Sequence, residues 1–213
     1  MTDIKICGIK NYKSALTAQQ HGAAYIGFVF HKPSSRYIDP ESASHIIKTL
    51  KKESQKSPTY VGLFVDSDLE TISATGQLCD LDAVQLCGSE TPEFCDSVPF
   101  PVFKVIHIKP SHKLADIEEL IDIYLNHVDK LILDNGATNL SGGTGEKFDW
   151  RIAKQLADQG HYFMLAGGLN IDNLREAIQT INPIAIDISS GVETDGIKDP
   201  DKIINVLHLA QSF

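Results

Sequence analysis

Eight short apolar runs alternate with stretches of helical periodicity along the whole chain, and this alternation restricts the fold more than any other feature. The runs occupy residues 4–6, 25–30, 60–65, 83–86, 102–106, 130–133, 163–166 and 185–188. Most are rich in β-branched or aromatic residues, as expected of parallel strands covered on both faces. Between them, residues 14–21, 40–51, 69–78, 91–96, 114–126, 150–158, 171–181 and 200–209 place apolar side chains at helical spacing. Asn11, Asp68, Asp149, Asn170 and Asp199 stand where N-caps stand, and Pro40 and Pro200 suit a first helical turn. Eight right-handed βαβ units close into a barrel. An open doubly wound sheet would place a Gly-rich nucleotide loop after its first strand, whereas the first run here ends in Cys7-Gly8-Ile9-Lys10. The expectation is an α/β chain, a (β/α)8 TIM barrel with short loops, forming one domain over residues 1–213.

Composition narrows the function. With 213 residues, 42% of them apolar and 22% charged, the chain can bury a full core. A net charge of −9 and the lack of a dense Lys/Arg cluster exclude a general nucleic-acid surface. Lys48, Lys51 and Lys52 read as a solvated helix face. No stretch approaches the roughly 18 apolar residues of a membrane span, and the segment from Met1 to Lys5 has no basic-then-apolar signal pattern. A cytoplasmic protein is expected. Cys7, Cys79, Cys87 and Cys95 show neither CxxC nor Cys/His ligand spacing, which argues for reduced thiols and against structural zinc.

In a barrel, chemistry belongs to the C-terminal ends of the strands. Residues 163–166 run into Gly167-Gly168-Leu169-Asn170, and residues 185–188 into Ser189-Ser190-Gly191. Two such turns, each opening a helix, would aim backbone N–H groups and positive helix ends at one spot, a phosphate site. In an acidic chain that site needs a dedicated cation beside the backbone donors. The other polar residues that follow apolar runs are Cys7, Arg36, Asp66, Cys87, His107 and Asp134. Cys7 is either a small buried residue or a thiol poised to take a proton near a positive group. Asp134 is either a loop-capping residue or a partly desolvated general acid, and the two together suggest a proton-shuffling isomerisation. Arg36, in the loop 31–37, could bring a planar cation to a carboxylate or phosphate. The loop Gly142-Gly143-Thr144-Gly145 reads as an anion-contacting flap near Asp134. Asp187, inside the last run, needs a hydrogen bond or a cation whether it is structural or orients a substrate. His31 and His107 read as satisfied histidines rather than metal ligands.

These residues carry a resemblance. KICGIK at 5–10, GFVFHKPSSRYIDP at 27–40, VGLFVD at 61–66, LDAVQLCGSE at 81–90, LILDN at 131–135, GGTGEKFDW at 142–150, LAGGLN at 165–170 and DISSGVE at 187–193 resemble, in order, the phosphoribosylanthranilate isomerase family. The resemblance implies a (β/α)8 barrel that performs an Amadori rearrangement in tryptophan biosynthesis, with neither metal nor organic cofactor and a small phosphoribosyl substrate as its partner. It implies Cys7 as the base at C2′, Asp134 as the acid at the ribose ring oxygen and Arg36 as the clamp on the anthranilate carboxylate. Gly143, Gly168, Ser190 and Gly191 would lie in the turns that bind phosphate. A monomer and a homodimer are both compatible with it. The chain departs from the family where Cys87-Gly88 replaces the usual His-Gly, at Asn135, and in the order of Glu146-Lys147. Two other functions remain open on the residues alone: an inert barrel that binds a phosphorylated ligand, and another phosphosugar isomerase or epimerase.

Overall fold

A computed structural model describes residues 2–53, 57–134 and 150–213. Eight parallel strands close into a barrel in chain order: β1 (Asp3–Cys7), β2 (Tyr25–Val29), β3 (Thr59–Phe64), β4 (Ala83–Leu86), β5 (Val102–His107), β6 (Lys130–Asp134), β7 (Met164–Ala166) and β8 (Ala185–Ile188). The helices that follow them are α1 (Tyr12–Gln20), α2 (Pro40–Glu53), α3 (Leu69–Cys79), α4 (Pro92–Ser97), α5 (Leu114–Tyr124), α6 (Arg151–Asp158), α7 (Leu174–Ile181) and α8 (Pro200–Gln211). Asn11, Asp68 and Asp199 cap α1, α3 and α8 by accepting from Ser14, Thr71, and both Asp201 and Lys202 backbone N–H groups. No helix among the described residues is long and apolar enough to cross a membrane.

Strand periodicity splits the apolar residues into two cores. Ile4, Ile6, Ile26, Phe28, Val84, Leu131, Leu133, Ile186 and Ile188 face outward and pack with Ile47, Ile117, Leu156 and Val206 of the helical shell. Val61, Ala83, Phe103, Val105, Ile132, Met164, Ala166 and Ala185 fill the barrel interior. Each large aliphatic side chain so buried contributes on the order of 1.5–3 kcal/mol. The interior is thus a packed plug, and its uppermost layer is where side chains meet solvent.

Two expectations for the last units change. The turn after β7 does not open its helix directly, because Asn170 folds back: its side chain accepts from Asp172 N–H at 2.9 Å and its carbonyl from Leu174 N–H. This Asx turn delays α7, and the residue at its N-cap is Asn173. After β8, a two-stranded hairpin, β9 (Glu193–Thr194) with β10 (Ile197–Lys198), stands between the Ser-rich turn and α8. Of the two C-terminal turns, neither therefore starts its helix at once, so no helix end directly follows either of them.

Candidate active site

A cavity of about 540 Å³ opens at the C-terminal end of the barrel. Cys7, Arg36, Asp134, Gly168 and Ser190 all line it, so five of the seven residues expected to share a site line one cavity. Gly191 supports it from behind. A Cβ at this position would lie 1.9 Å from the Leu169 carbonyl oxygen, and the residue pairs with Asn170 in an isolated bridge. Only a residue without a side chain lets the β7 and β8 turns come this close. Gly143, with the flap 142–145, the Asp149 cap, Asn135 and Glu146-Lys147, lies outside the described residues. A more open depression of about 670 Å³ lies at the opposite end, around Lys51, Thr59 and Asp82, and holds none of the candidate residues. There Lys51 pairs with Asp80 and Asp82, so it is a bound cation rather than part of a free solvated face.

Beneath Cys7 lies a polar layer of which the sequence singled out Asp187 but not Lys5 or Gln85. Lys5, two residues earlier on the same inward face of β1, is fully buried, and its ammonium donates to Asp187 Oδ2 and Gln85 Oε1, each at 2.7 Å. Burial works to lower the Lys5 pKa, but Asp187 prevails and the ammonium is held above the ordinary lysine range. Burial pushes the Cys7 thiol up, against the pull of Lys5 and, more weakly, of Lys198. Asp187 has one oxygen bound by Lys5, as a structural role requires, and it also lines the cavity, where its Oδ1 is buried without a hydrogen-bond partner among the described residues. The signal for this layer was a lysine in the middle of an apolar strand.

Arg36 is held by Glu193, which sequence reading also passed over. Nε and Nη2 of the guanidinium donate to Oε1 and Oε2 of Glu193 at 2.7 and 2.8 Å. Lys198 donates to the same carboxylate at 2.6 Å and to the Ser189 carbonyl at 2.9 Å. Burial opposes the Glu193 charge, but its two cations hold this carboxyl below the usual range. At Lys198 burial outweighs Glu193 and lowers the ammonium pKa.

At the far wall, Asp134 ends β6 opposite His107 of β5, with Oδ2 and Nδ1 3.6 Å apart. The other ring nitrogen of His107 lies 3.1 Å from the Cys87 carbonyl oxygen. The Cys87 thiol accepts from Gln85 Nε2 at 3.4 Å, and burial pushes its pKa up to about 12. All four cysteines are free thiols. Among the described residues no cluster of His, Cys, Asp and Glu could hold a metal ion.

Comparison with known proteins identifies the family of the barrel that carries this site. The family model described as N-(5'phosphoribosyl)anthranilate (PRA) isomerase matches residues 4–208. The N-(5'-phosphoribosyl)anthranilate isomerase of Citrifermentans bemidjiense is 41% identical over 100% of this chain and 98% of its own length. That of Geobacter sulfurreducens is 40% identical over the full length of both. The crystal structure of phosphoribosyl anthranilate isomerase from Thermotoga maritima superposes with a TM-score of 0.86 at 36% identity, covering both chains completely. Another, in complex with reduced 1-(o-carboxyphenylamino)-1-deoxyribulose 5-phosphate, does so with a TM-score of 0.83 at 34% identity over the whole of each chain. With the model match and these full-length relatives, the chain belongs to the N-(5'-phosphoribosyl)anthranilate isomerase family.

Proposed function

We propose that this chain isomerises N-(5'-phosphoribosyl)anthranilate to 1-(2-carboxyphenylamino)-1-deoxyribulose 5-phosphate, with Cys7 as general base and Asp134 as general acid. The observation that carries the reading is that both groups line one cavity whose rim is made by the paired turns at Gly168 and Ser190. A cavity of about 540 Å³ lies within the range of small-molecule sites.

The turns around Gly168, Ser190 and Gly191 hold the phosphate through backbone N–H groups, and Gly143 is assigned to the same role by the family resemblance. Arg36 meets the anthranilate carboxylate. Asp134 gives a proton to the ribose ring oxygen as the C1′–O bond breaks, and the anthranilate nitrogen lone pair closes a Schiff base at C1′. Cys7 then takes the proton from C2′, leaving an enolamine that tautomerises to the ketone. Lys5 favours the thiolate this step needs, because its ammonium lies directly below. Asp187 Oδ1, the unpartnered buried acceptor, is placed to receive a sugar hydroxyl.

The test is the loss of fluorescence of the anthranilate-linked substrate, measured with EDTA present. Wild-type protein should turn over unchanged. Cys7→Ser and Asp134→Asn should each keep the wild-type unfolding midpoint and lose roughly 10²–10⁴-fold in kcat. Wild-type rates in both variants would reject the assigned roles, and abolition of turnover by EDTA would favour a metal-dependent epimerase.

A further inference from the structure

The acid step has a difficulty that the neighbourhood of Asp134 resolves. A carboxyl in water loses its proton near pH 4, so an aspartic acid that must donate at neutral pH needs something to keep the proton at hand. On the reading of Asp134 as the acid, we infer that His107 is its positioning partner: the imidazole and the carboxyl hold one proton between them, and Asp134 passes that proton to the ribose ring oxygen.

Nε2 of His107 lies 3.1 Å from the Cys87 carbonyl oxygen, and a carbonyl can only accept, so Nε2 carries a hydrogen. Nδ1 is then the nitrogen that faces Asp134 Oδ2, at 3.6 Å. A neutral ring in this tautomer would set a nitrogen lone pair against a carboxylate. One proton removes the conflict, either on Nδ1 as an imidazolium beside a carboxylate or on Oδ2 as a carboxylic acid beside a neutral ring. The parallel register of β5 and β6 places His107 directly opposite Asp134, so this juxtaposition is built into the barrel.

The surroundings favour retention of that proton. The neighbouring Asp134 carboxylate, 3.6 Å away, raises the His107 pKa, against burial and against Lys104 on the same strand. Lys104 is itself tied to Glu90 at 2.7 Å, and β4 turns its Cys87 carbonyl to the ring while the Cys87 thiol stays protonated. As the C1′–O bond breaks, its electron pair goes to the ring oxygen with the proton from Asp134. What remains is a neutral imidazole and a carboxylate. Because the His107 side chain is 46% exposed, water can return the proton through the ring after each turnover.

His107→Gln keeps a donor for the Cys87 carbonyl and removes the titrating ring. Its kcat should fall about tenfold or more at neutral pH, with KM little changed and the rate recovering toward wild type as the pH is lowered. The basic limb of its kcat profile should move to lower pH by about one unit or more, a tenfold change for each unit. By histidine NMR, the raised His107 pKa should drop in Asp134→Asn. A superimposable pH profile in His107→Gln, or a loss equal at every pH, overturns the pairing while leaving Asp134 as the acid. Full activity in Asp134→Asn overturns both.

Discussion

Lys5→Met isolates the buried layer beneath the active site. Methionine nearly matches the length of lysine, so the substitution removes a charge with little change in packing. What it leaves is Asp187, only 8% exposed, with one oxygen abandoned by its cation and the other already without a partner among the described residues. Breaking a buried ion pair from one side costs about 3–5 kcal/mol. For a chain of this length each kcal/mol moves Tm by about 2–4 °C, which gives a drop of roughly 6–20 °C. Urea titration followed by the fluorescence of Trp150, the one tryptophan, measures the loss directly as a lower midpoint at constant slope. Adding Asp187→Asn should restore about 1–3 kcal/mol by removing the stranded charge. The pH dependence has a definite sign: Lys5 is raised in the folded protein, so its contribution is complete below the unfolded lysine value of about 10.4 and is lost as pH rises through the higher folded value. The penalty should therefore be constant between about pH 6 and 9. A loss below about 1 kcal/mol, or a double variant less stable than Lys5→Met, would refute the account of this layer as a charge pair held in a low-dielectric interior.

Gly191→Ala places a methyl group 1.9 Å from the Leu169 carbonyl oxygen, a backbone atom that cannot swing away. The β7 and β8 turns must separate, and if they hold the phosphate as proposed, KM for the phosphorylated substrate should rise about tenfold or more with a smaller change in kcat, as steady-state kinetics will show. Glu193→Gln tests the clasp on Arg36. The Glu193 carboxyl titrates lower when folded, so its contribution is present above the unfolded value of about 4.3 and disappears as pH falls through the folded value. Urea midpoints of wild type and Glu193→Gln should differ at pH 7 and converge below about pH 4, and a gap that persists in acid would assign the effect to packing instead.

The barrel was legible because its signal is repeated eight times: every barrel strand and every described helix falls within a few residues of its apolar run or periodic stretch. Helix starts were legible where a side chain caps its own helix, as at Asp68, and misread at Asn170, where the same residue type builds a turn instead. Strand facing was harder. Lys5 and Lys104 both sit in the middle of apolar strands and both are buried, yet Lys5 points into the barrel and Lys104 lies outside it, bound to Glu90 and under the Tyr124 ring. When both faces of a strand are apolar, alternation carries no contrast that tells inside from outside. Glu193 was missed for a different reason. Its partner Arg36 is 157 residues away, and only closure of β1 against β8 brings the two loops together.

The clasp around Arg36 also explains how an acidic chain presents a cationic rim. Lys5 and Asp187 cancel, whereas Arg36 and Lys198 share the one carboxylate of Glu193, which leaves a net single positive charge beside the β8 turn. Lys198 spends its donors on Ser189 and Glu193, so its charge acts from behind the turn and biases the backbone that faces the substrate. Glu193 does not block Arg36. It engages the side-on edge of the guanidinium, Nε with Nη2, and a guanidinium has five N–H donors in a rigid fork. Among the described residues the end-on edge, Nη1 with the second Nη2 hydrogen, makes no hydrogen bond, so it can serve the proposed substrate carboxylate, already oriented by Glu193. Fixing the fork before the substrate arrives lowers the ordering cost of binding, which is what the proposed carboxylate contact at Arg36 requires.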